Sequence, residues 1–241
     1  MSRQFWFGIL CGLILGGVVR QRKIAGLTQS RLDNYYRQRA KVYRYTDYLY
    51  LGQFPRITMR TTLMEMAGLQ PGHRVLDFAC GSGANFPYIM ERIGSEGQLT
   101  GTDYSQEMLD AAHEQQVEAN GWKNVTLVQG DAAEMDFDRP FDAVICTLGM
   151  AVIPRYEQAL ERAWSLVKPG GVLGIADLAE SKRWYTLPIR FLTDLIDVAI
   201  IADSSRSVPV NEWLARQGGD SYRYEEIFHG YFYAATIRKP E

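Results

Sequence analysis

A short apolar run that ends in an acid and turns through two glycines constrains the fold of this chain most. The run is VLDFACGSGANF, in which Asp77 closes a strand-like segment and Gly81 and Gly83 flank a serine. Glycines at such a turn let a ligand approach the backbone. The pattern therefore predicts a strand, a ligand-binding turn and a helix that starts near Ala84.

Strand-like and helix-like segments alternate from residue 61 onward, which is typical of a mostly parallel sheet covered by helices on both faces. The turn-forming sequences Pro71-Gly72 and Pro169-Gly170-Gly171 each stand just before a predicted strand. We therefore expect an α/β fold of Rossmann-like architecture. The predicted strands are 74–79, 98–102, 125–129, 141–147 and 172–176.

The C-terminal sequence EEIFHGYFYAATIRK has Gly230 between two strand-like runs, and it predicts an antiparallel hairpin that completes the sheet. Before it, residues 180–220 form a partly aromatic, partly apolar stretch. We expect that stretch to be an inserted helical cover of the domain.

Three further segments point to an adenosine-type ligand. Asp103 ends the second predicted strand, where a carboxylate can accept both hydroxyl hydrogens of a ribose. Asp131 follows the third strand, and the end of FDAVICTLG should line the same pocket. Each acid alone is equally consistent with an ordinary strand-end residue, but the order of all three favours a ligand site.

A nicotinamide dehydrogenase is the alternative suggested by a glycine turn alone. Dinucleotide-binding folds carry a third glycine in this turn, where the present chain has Phe86. We therefore favour a ligand without a pyrophosphate.

Taken together, these motifs resemble those of class I S-adenosylmethionine-dependent methyltransferases, in the broad group that includes the ubiquinone and menaquinone methyltransferases. The resemblance covers residues 36–178, and LVKPGGVLGIADL resembles the family's fifth motif. It implies S-adenosylmethionine as cofactor, with the methionine part at Asp77, Gly81 and Gly83, the ribose at Asp103 and the adenine at Asp131. The residues expected to bind the cofactor are Tyr36, Tyr43, Asp77, Ala79, Gly81, Gly83, Asp103, Tyr104, Met108, Asp131, Ala132 and Thr147.

A tyrosine-rich, basic stretch precedes the predicted domain. Tyr36, Ala40 and Tyr43 can share one helical face, and their pattern resembles the family's N-terminal lid. The acid that often follows the second aromatic is Arg44 here, and an aromatic stripe of the core explains the spacing equally well.

Methyl transfer is an in-line displacement whose leaving group departs neutral, so alignment and exclusion of water can supply most of the rate. A phenol or carbon acceptor would benefit from a general base. The candidate catalytic residues are His229, Tyr231 and Asp177. A hydrogen-bonded histidine at a strand edge is the alternative role of His229. We assign His113, which lies in a polar helical stretch, to the surface.

Residues 5–19 contain no charged side chain and would form a helix of roughly 22 Å, somewhat shorter than the roughly 30 Å core of a bilayer. Three basic residues follow closely, and no small-residue cleavage pattern precedes them, so an uncleaved anchor is favoured over a signal peptide. A helix packed on the protein's own surface is the other alternative. We expect an anchor (1–23), a basic arm or lid (24–60) and a methyltransferase domain (61–241), with the domain on the cytoplasmic side of the cell inner membrane.

Charge is distributed unevenly along the chain. Residues 20–60 hold ten Lys/Arg and two acids, whereas residues 61–241 hold 26 acids and 15 bases. The acidic domain offers no basic face for nucleic acid, so none is expected as a partner. The Asn/Asp-Pro-Pro-aromatic motif of the family's nucleic-acid and glutamine methyltransferases is also missing after the fourth predicted strand.

These features predict a methyltransferase that acts on a lipophilic acceptor, an isoprenoid quinone or a phospholipid head group, at a lipid bilayer. A non-catalytic subunit of an integral membrane protein complex is the alternative, because glycines in the apolar segment suit helix packing. The three cysteines are widely spaced and indicate neither a disulfide framework nor a metal site.

Overall fold

The computed structural model describes residues 53–179 and 209–241. Its helices are α1 (Gln53–Ala67), α2 (Phe86–Ile93), α3 (Gln106–Ala112), α4 (Tyr156–Ser165) and α5 (Val210–Gly218). Its strands are β1 (Arg74–Phe78), β2 (Gln98–Asp103), β3 (Val125–Gln129), β4 (Phe141–Thr147), β5 (Val167–Leu178), β6 (Arg223–Ile227) and β7 (Phe232–Arg238). A π-helical turn (His113–Glu118) continues α3, and short 3-10 turns span Met150–Val152 and Gly219–Ser221.

The seven strands form one sheet in the order β3-β2-β1-β4-β5-β7-β6. The first five strands pair in parallel, and β7 pairs antiparallel with both β5 and β6. The mostly parallel sheet with a C-terminal antiparallel hairpin is therefore confirmed. The order also disfavours the dinucleotide dehydrogenase alternative, whose sheet runs 3-2-1-4-5-6 without an inserted antiparallel strand.

Alternation along the strands divides the core into two layers. On one face Val75 and Ile145 pack with residues of α1, α2 and α3, and on the other Leu76 and Val144 pack with residues of α4 and α5. The helices present the spacing that such packing requires: in α2 the buried residues recur at three- and four-residue intervals. Helices therefore cover both faces, as expected.

Strand boundaries agree with the prediction closely at β3 and β4 and less well elsewhere. The first strand ends at Phe78 rather than at Ala79, because Ala79 adopts a left-handed conformation with φ 55°. The following helix begins at Phe86, two residues later than predicted.

The largest difference concerns β5, which begins at Val167 rather than at residue 172. The expectation that Pro169-Gly170-Gly171 forms a turn before this strand is wrong, because these residues lie inside it. The pairing of β5 with β4 shifts register between Phe141 and Ala143. Between these two pairs β5 has four residues, 168–171, against one in β4, and Gly170 lies in this irregular stretch with a φ of 72°.

Several predicted segments fall wholly or partly outside the described residues. The anchor (1–23), residues 24–52 of the arm and residues 180–208 of the cover lie there. Helix α1 continues across position 60, the predicted border of the arm, and α5 occupies part of the predicted cover. Among the helices of residues 53–179 and 209–241, none is long and apolar enough to cross a membrane.

Candidate functional site

The sheet order reverses between β1 and β4, and the carboxyl ends of the parallel strands open into a cavity there. Parallel α/β sheets bind ligands at such a switch point because the loops leaving neighbouring strands diverge. Eight residues predicted from the sequence line this cavity together. They are Ala79, Gly81, Asp103, Tyr104, Met108, Asp131, Ala132 and Thr147.

The turn after β1 brings backbone into the cavity wall. Ala79 and Gly81 both have φ 55°, and the N–H of Cys80 donates to the carbonyl oxygen of Thr102 at 2.7 Å. This bond fixes the turn to the neighbouring strand β2. A left-handed conformation at Gly81 carries no steric cost, since glycine has no Cβ.

Gly83 was expected to hold the ligand, but it does not line the cavity. A Cβ at this position would lie 2.9 Å from the ring of Phe86 and 3.1 Å from Cγ of Gln116. Gly83 therefore allows α2 and the π-helical turn to pack closely. The Phe86 ring in turn reaches within 2.6 Å of where a Cβ of Gly101 would stand, so it occupies the space above β2.

Asp103 is held rigidly at the end of β2. Its Oδ2 accepts from the N–H of Gly81 at 2.8 Å and its Oδ1 from the N–H of Ser105 at 3.0 Å. Burial raises the pKa of this carboxyl, and the backbone N–H groups of Ser105, Gly81 and Tyr104 oppose that rise. Each carboxylate oxygen can accept a further hydrogen bond. The carboxylate is thus preorganised to receive a diol.

Asp131 has two partners of its own. Its Oδ1 accepts from the N–H of Ala133 at 2.9 Å, and its Oδ2 accepts from Nη2 of Arg155 at 2.6 Å. Arg155 also donates to Glu134 at 2.8 Å. This arginine links the loop after β3 to the start of α4, and sequence reasoning missed it because 24 residues separate it from Asp131.

A buried polar network lies behind the cavity wall where β1 and β4 end. Nδ2 of Asn85 donates to Oδ1 of Asp77 at 2.8 Å, and Oδ1 of Asn85 accepts from Nε of Arg60 at 3.1 Å and from Oγ1 of Thr147 at 2.9 Å. Oδ2 of Asp77 is buried and has no hydrogen-bond partner among the described residues. Burial raises the pKa of Asp77 to about 7, against the hydrogen bond from Asn85 and the charge of Arg60.

Sequence reasoning also missed Arg60 and Asn85. Asn85 directly follows the glycine turn that begins after Asp77. Because this turn brings the chain back toward the end of β1, the sequence could have indicated that Asn85 contacts Asp77. Arg60 lines the cavity from α1, whereas the sequence assigned it to the basic arm.

The three candidate catalytic residues do not line this cavity. Asp177 is buried near the end of β5, where its Oδ1 accepts from the N–H of Leu178 at 2.8 Å. His229 is exposed at the tip of the β6–β7 hairpin, and Tyr231 is buried beside it. Leu178 pairs with Phe232 in the sheet, which places the hairpin tip at the same edge as the cavity. Tyr36 and Tyr43 lie outside the described residues.

Similarity to known proteins agrees with this geometry. Residues 75–171 match the sequence family described as a methyltransferase domain. This segment is a class I methyltransferase domain. The resemblance inferred from the motifs is thereby confirmed, and S-adenosylmethionine is the cofactor of such a domain.

Two relatives of known name share sequence with the methyltransferase domain of this chain. The demethylmenaquinone methyltransferase of Listeria monocytogenes serotype 4a (strain HCC23) is 36% identical over 125 residues, which are 52% of this chain and 52% of that protein. The demethylmenaquinone methyltransferase of Staphylococcus epidermidis is 28% identical over 182 residues, 73% of this chain and 72% of that protein. This chain therefore spans about half the length of the Listeria relative.

The structure of a SAM-dependent methyltransferase from Aquifex aeolicus has a TM-score of 0.52 to this chain at 20% identity, covering 74% of this chain and 88% of that one. At this identity, the likeness shows that the two proteins share a fold.

The side chains of the methyltransferase domain fit S-adenosylmethionine. Asp103 suits the ribose hydroxyls, and Met108 and Ile153 give the cavity apolar walls for a purine. Asp77, which was expected to hold the methionine part, does not line the cavity, and its Oδ2 is buried behind the wall without a hydrogen-bond partner among the described residues.

Proposed function

We propose that this chain transfers the methyl group of S-adenosylmethionine to an isoprenoid quinone that resides in a membrane. The observation that carries the proposal is the similarity of the methyltransferase domain to relatives named demethylmenaquinone methyltransferases. A phospholipid head group is the second acceptor class, and the experiment below separates the two. The comparisons do not favour a non-catalytic subunit.

Bound S-adenosylmethionine would supply an electrophilic methyl group on a sulfonium sulfur. The protein's part is alignment and exclusion of water. The carboxylate of Asp103 is fixed by two backbone N–H groups, so it can orient a ribose without rearranging. Leu148, Ile153 and Pro154 add apolar wall to the cavity and reduce the space for water.

A quinone in its reduced form offers a ring carbon that supplies the electron pair of the new carbon–carbon bond. The proton on that carbon must then pass to a base. We propose His229 for this role because it is exposed at the sheet edge onto which the cavity opens. Tyr231 and Asp177 are buried and are weaker candidates.

A membrane location completes the proposal. It rests on the uncharged residues 5–19, on the basic residues that follow them and on the apolar character of the proposed acceptor. The lipid bilayer is then the source of the substrate.

The test uses the full chain in mild detergent with S-adenosylmethionine carrying a radiolabelled methyl group. Reduced demethylmenaquinone and phosphatidylethanolamine are offered separately under anaerobic conditions. We expect label in the quinone fraction, in a product one methyl group larger. Asp103→Ala should reduce the rate by about 50-fold, since it removes hydrogen bonds to the ribose. Asp110→Ala, which removes an exposed carboxylate on α3, should change the rate less than about twofold.

Two results would contradict the proposal. Label found only in the phospholipid would show that the acceptor is a phospholipid head group and not a quinone, although methyl transfer from S-adenosylmethionine would still occur. Absence of label from both acceptors, in a folded sample that binds S-adenosylhomocysteine, would reject the proposed transfer to lipophilic acceptors.

A further inference from the structure

The cavity wall beyond β3 is formed by a connection that contains neither helix nor strand. This connection, residues 130–140, leads from β3 to β4. Four of its first six residues line the cavity: Gly130, Asp131, Ala132 and Met135. The carbonyl oxygen of Asp131 accepts from the N–H groups of Glu134 at 2.9 Å and Met135 at 3.0 Å, so residues 130–135 form a single turn, here called the wall loop. Its position relative to the sheet depends on contacts with other elements.

Arg155, the residue directly before α4, supplies such a contact. Its Nη2 donates to Oδ2 of Asp131 at 2.6 Å and to Oε1 of Glu134 at 2.8 Å. Strands β2 and β1 separate β3 from β4 in the sheet, so these bonds join loops that leave strands roughly 14 Å apart. One guanidinium thus ties together two loops that border the cavity.

Both ends of the wall loop are held from α4. Residues 152–154, just before Arg155, line the cavity themselves. Arg162 lies seven residues after Arg155, on the same helical face. It donates to the carbonyl oxygen of Met135 and pairs with Asp136 at 2.6 Å. Arg155 therefore fixes the start of the wall loop, and Arg162 fixes its end.

The ion pairs of Arg155 are open to solvent. The exposed fraction of the side chain is 43% for Arg155, 31% for Asp131 and 68% for Glu134. Salt screens pairs of this kind, because the Debye length falls from about 10 Å at 0.1 M to about 3 Å at 1 M. Fixation of the wall loop should therefore weaken as ionic strength rises.

We propose that Arg155 is a positioning residue for cofactor binding, which fixes the wall loop through Asp131 and Glu134 before the cofactor enters. Arg155 does not line the cavity, and it acts through the loop. A wall that is already in place lowers the entropic cost of ordering the loop on binding, and it strengthens the binding of any ligand that fills the cavity. The inference concerns the cofactor cavity and does not depend on the methyl acceptor.

The test uses 5′-methylthioadenosine, an analogue of the cofactor that carries no charged group. Salt cannot screen ionic contacts of an uncharged ligand, so a salt-dependent affinity reports on the protein. Calorimetric titration of the full chain in detergent measures the dissociation constant at 0.1 M and 1 M NaCl. For wild type we expect it to rise about fivefold at 1 M NaCl, because screening weakens exposed ion pairs. For Arg155→Met it should already be raised at 0.1 M and change less than about twofold with salt.

S-adenosylhomocysteine is titrated in the same way. Screening of its own charged groups is common to wild type and variant, so the difference in salt dependence between the two proteins should be the same for both probes. Arg139→Met is the matched control. Arg139 lies in the same connection but outside the wall loop, and its side chain pairs with the neighbouring Asp138 at 3.7 Å. This variant should keep the affinity and the salt dependence of wild type.

Two further variants test the ion pairs themselves. Glu134→Gln removes one charged acceptor and should weaken binding by about twofold and reduce its salt dependence. The double variant Arg155→Met/Glu134→Gln should bind no more weakly than Arg155→Met, because both changes remove the same interaction. Arg155→Lys keeps the charge and should recover part of the affinity.

Two results would overturn the inference. Unchanged affinity of Arg155→Met for both probes at 0.1 M NaCl would show that the wall loop does not need Arg155. Weaker binding with the salt dependence of wild type would show that the loss comes from packing and not from the ion pairs. Thermal unfolding without ligand shows which variants are folded, and if Arg155→Met does not fold, Glu134→Gln and Arg155→Lys are judged by the same criteria.

The outcomes also separate this inference from the proposed function. Absence of methyl transfer to a quinone, with the expected salt dependence of binding, would remove the proposed function and leave the role of Arg155 intact. Failure of the folded wild-type chain to bind either probe would reject both.

Discussion

The burial of Asp77 lowers the free energy of unfolding at neutral pH. Its side chain is fully buried, and one carboxylate oxygen has no hydrogen-bond partner among the described residues. Burial raises its pKa from the ordinary 3.8 to about 7. Between these two values the folded chain retains a proton that the unfolded chain has released. The free energy of unfolding therefore falls as pH rises from about 4 to about 7, and the loss is complete above pH 7.

Replacing Asp77 by Asn should remove this pH-dependent loss. We expect the variant to gain stability over wild type as pH is raised, by at most about 4 kcal/mol at pH 8, since each pKa unit corresponds to about 1.4 kcal/mol. At pH 4 the advantage should vanish. Urea denaturation at pH 4, 6 and 8 measures it. An advantage that is the same at all three pH values would contradict the buried ionisation of Asp77.

The cavity residues that could be predicted from the sequence are those at or just after the ends of strands. Asp103 and Gly81 belong to short local patterns, and parallel strands bring their carboxyl ends to one edge, so their meeting followed from the pattern alone. Arg60 reaches the same cavity through the packing of α1 on β5 and β7. No local pattern encodes that packing direction, and Arg60 therefore escaped prediction.

At the scale of elements, hydrophobic alternation located the strands but not their irregularities. The glycines that predicted a turn before β5 instead lie in an irregular stretch within it, because a glycine with positive φ suits both a turn and a break in strand register. The hairpin between β6 and β7 turns at Gly230 as expected. Phe228 and His229 also adopt positive φ, of 49° and 57°, which side-chain sterics disfavour and tertiary pairing imposes.

Lys239 joins the end of β7 to the end of α4. Its Nζ donates to the carbonyl oxygens of Trp164 at 3.0 Å and Val167 at 2.7 Å, and it lies 5.4 Å from the centre of the Trp164 ring. Carbonyl groups at a helix C-terminus lack partners within the helix, and a cation there is favourable. One side chain thus stabilises both a helix end and the last strand of the sheet.

Lys239→Met should destabilise the fold by about 2 kcal/mol, because it keeps the aliphatic stem and leaves the carbonyl oxygens without their donor. Lys123→Met, at an exposed position, is the control and should change stability by less than about 0.5 kcal/mol. Urea denaturation measures both, and hydrogen exchange should show loss of protection in the last turn of α4. Equal stability of the two variants would show that Lys239 does not cap the helix.

At the scale of the whole molecule, positive charge is concentrated near the N-terminus and negative charge in the rest of the chain. Residues 20–60 carry a net charge of +8, and residues 61–241 carry −11. A basic segment beside an apolar one suits an anionic lipid surface, where each Lys or Arg contributes about 1 kcal/mol. An acidic domain is repelled by the same surface. From this division of charge we propose that the N-terminal region contacts lipid and that the acidic domain lies on its aqueous side.

Salt separates the two sources of membrane affinity. At 1 M salt the Debye length is about 3 Å, so attraction between basic residues and anionic lipid is largely lost, whereas apolar insertion persists. We expect the full chain to co-sediment with vesicles containing phosphatidylglycerol at both 0.1 M and 1 M NaCl. A variant lacking residues 1–23 keeps seven of the ten Lys/Arg in residues 20–60, and it should bind at 0.1 M and be released at 1 M. Release of the full chain at 1 M would show that residues 5–19 do not insert, and retention of the variant would place the apolar contact elsewhere in the chain.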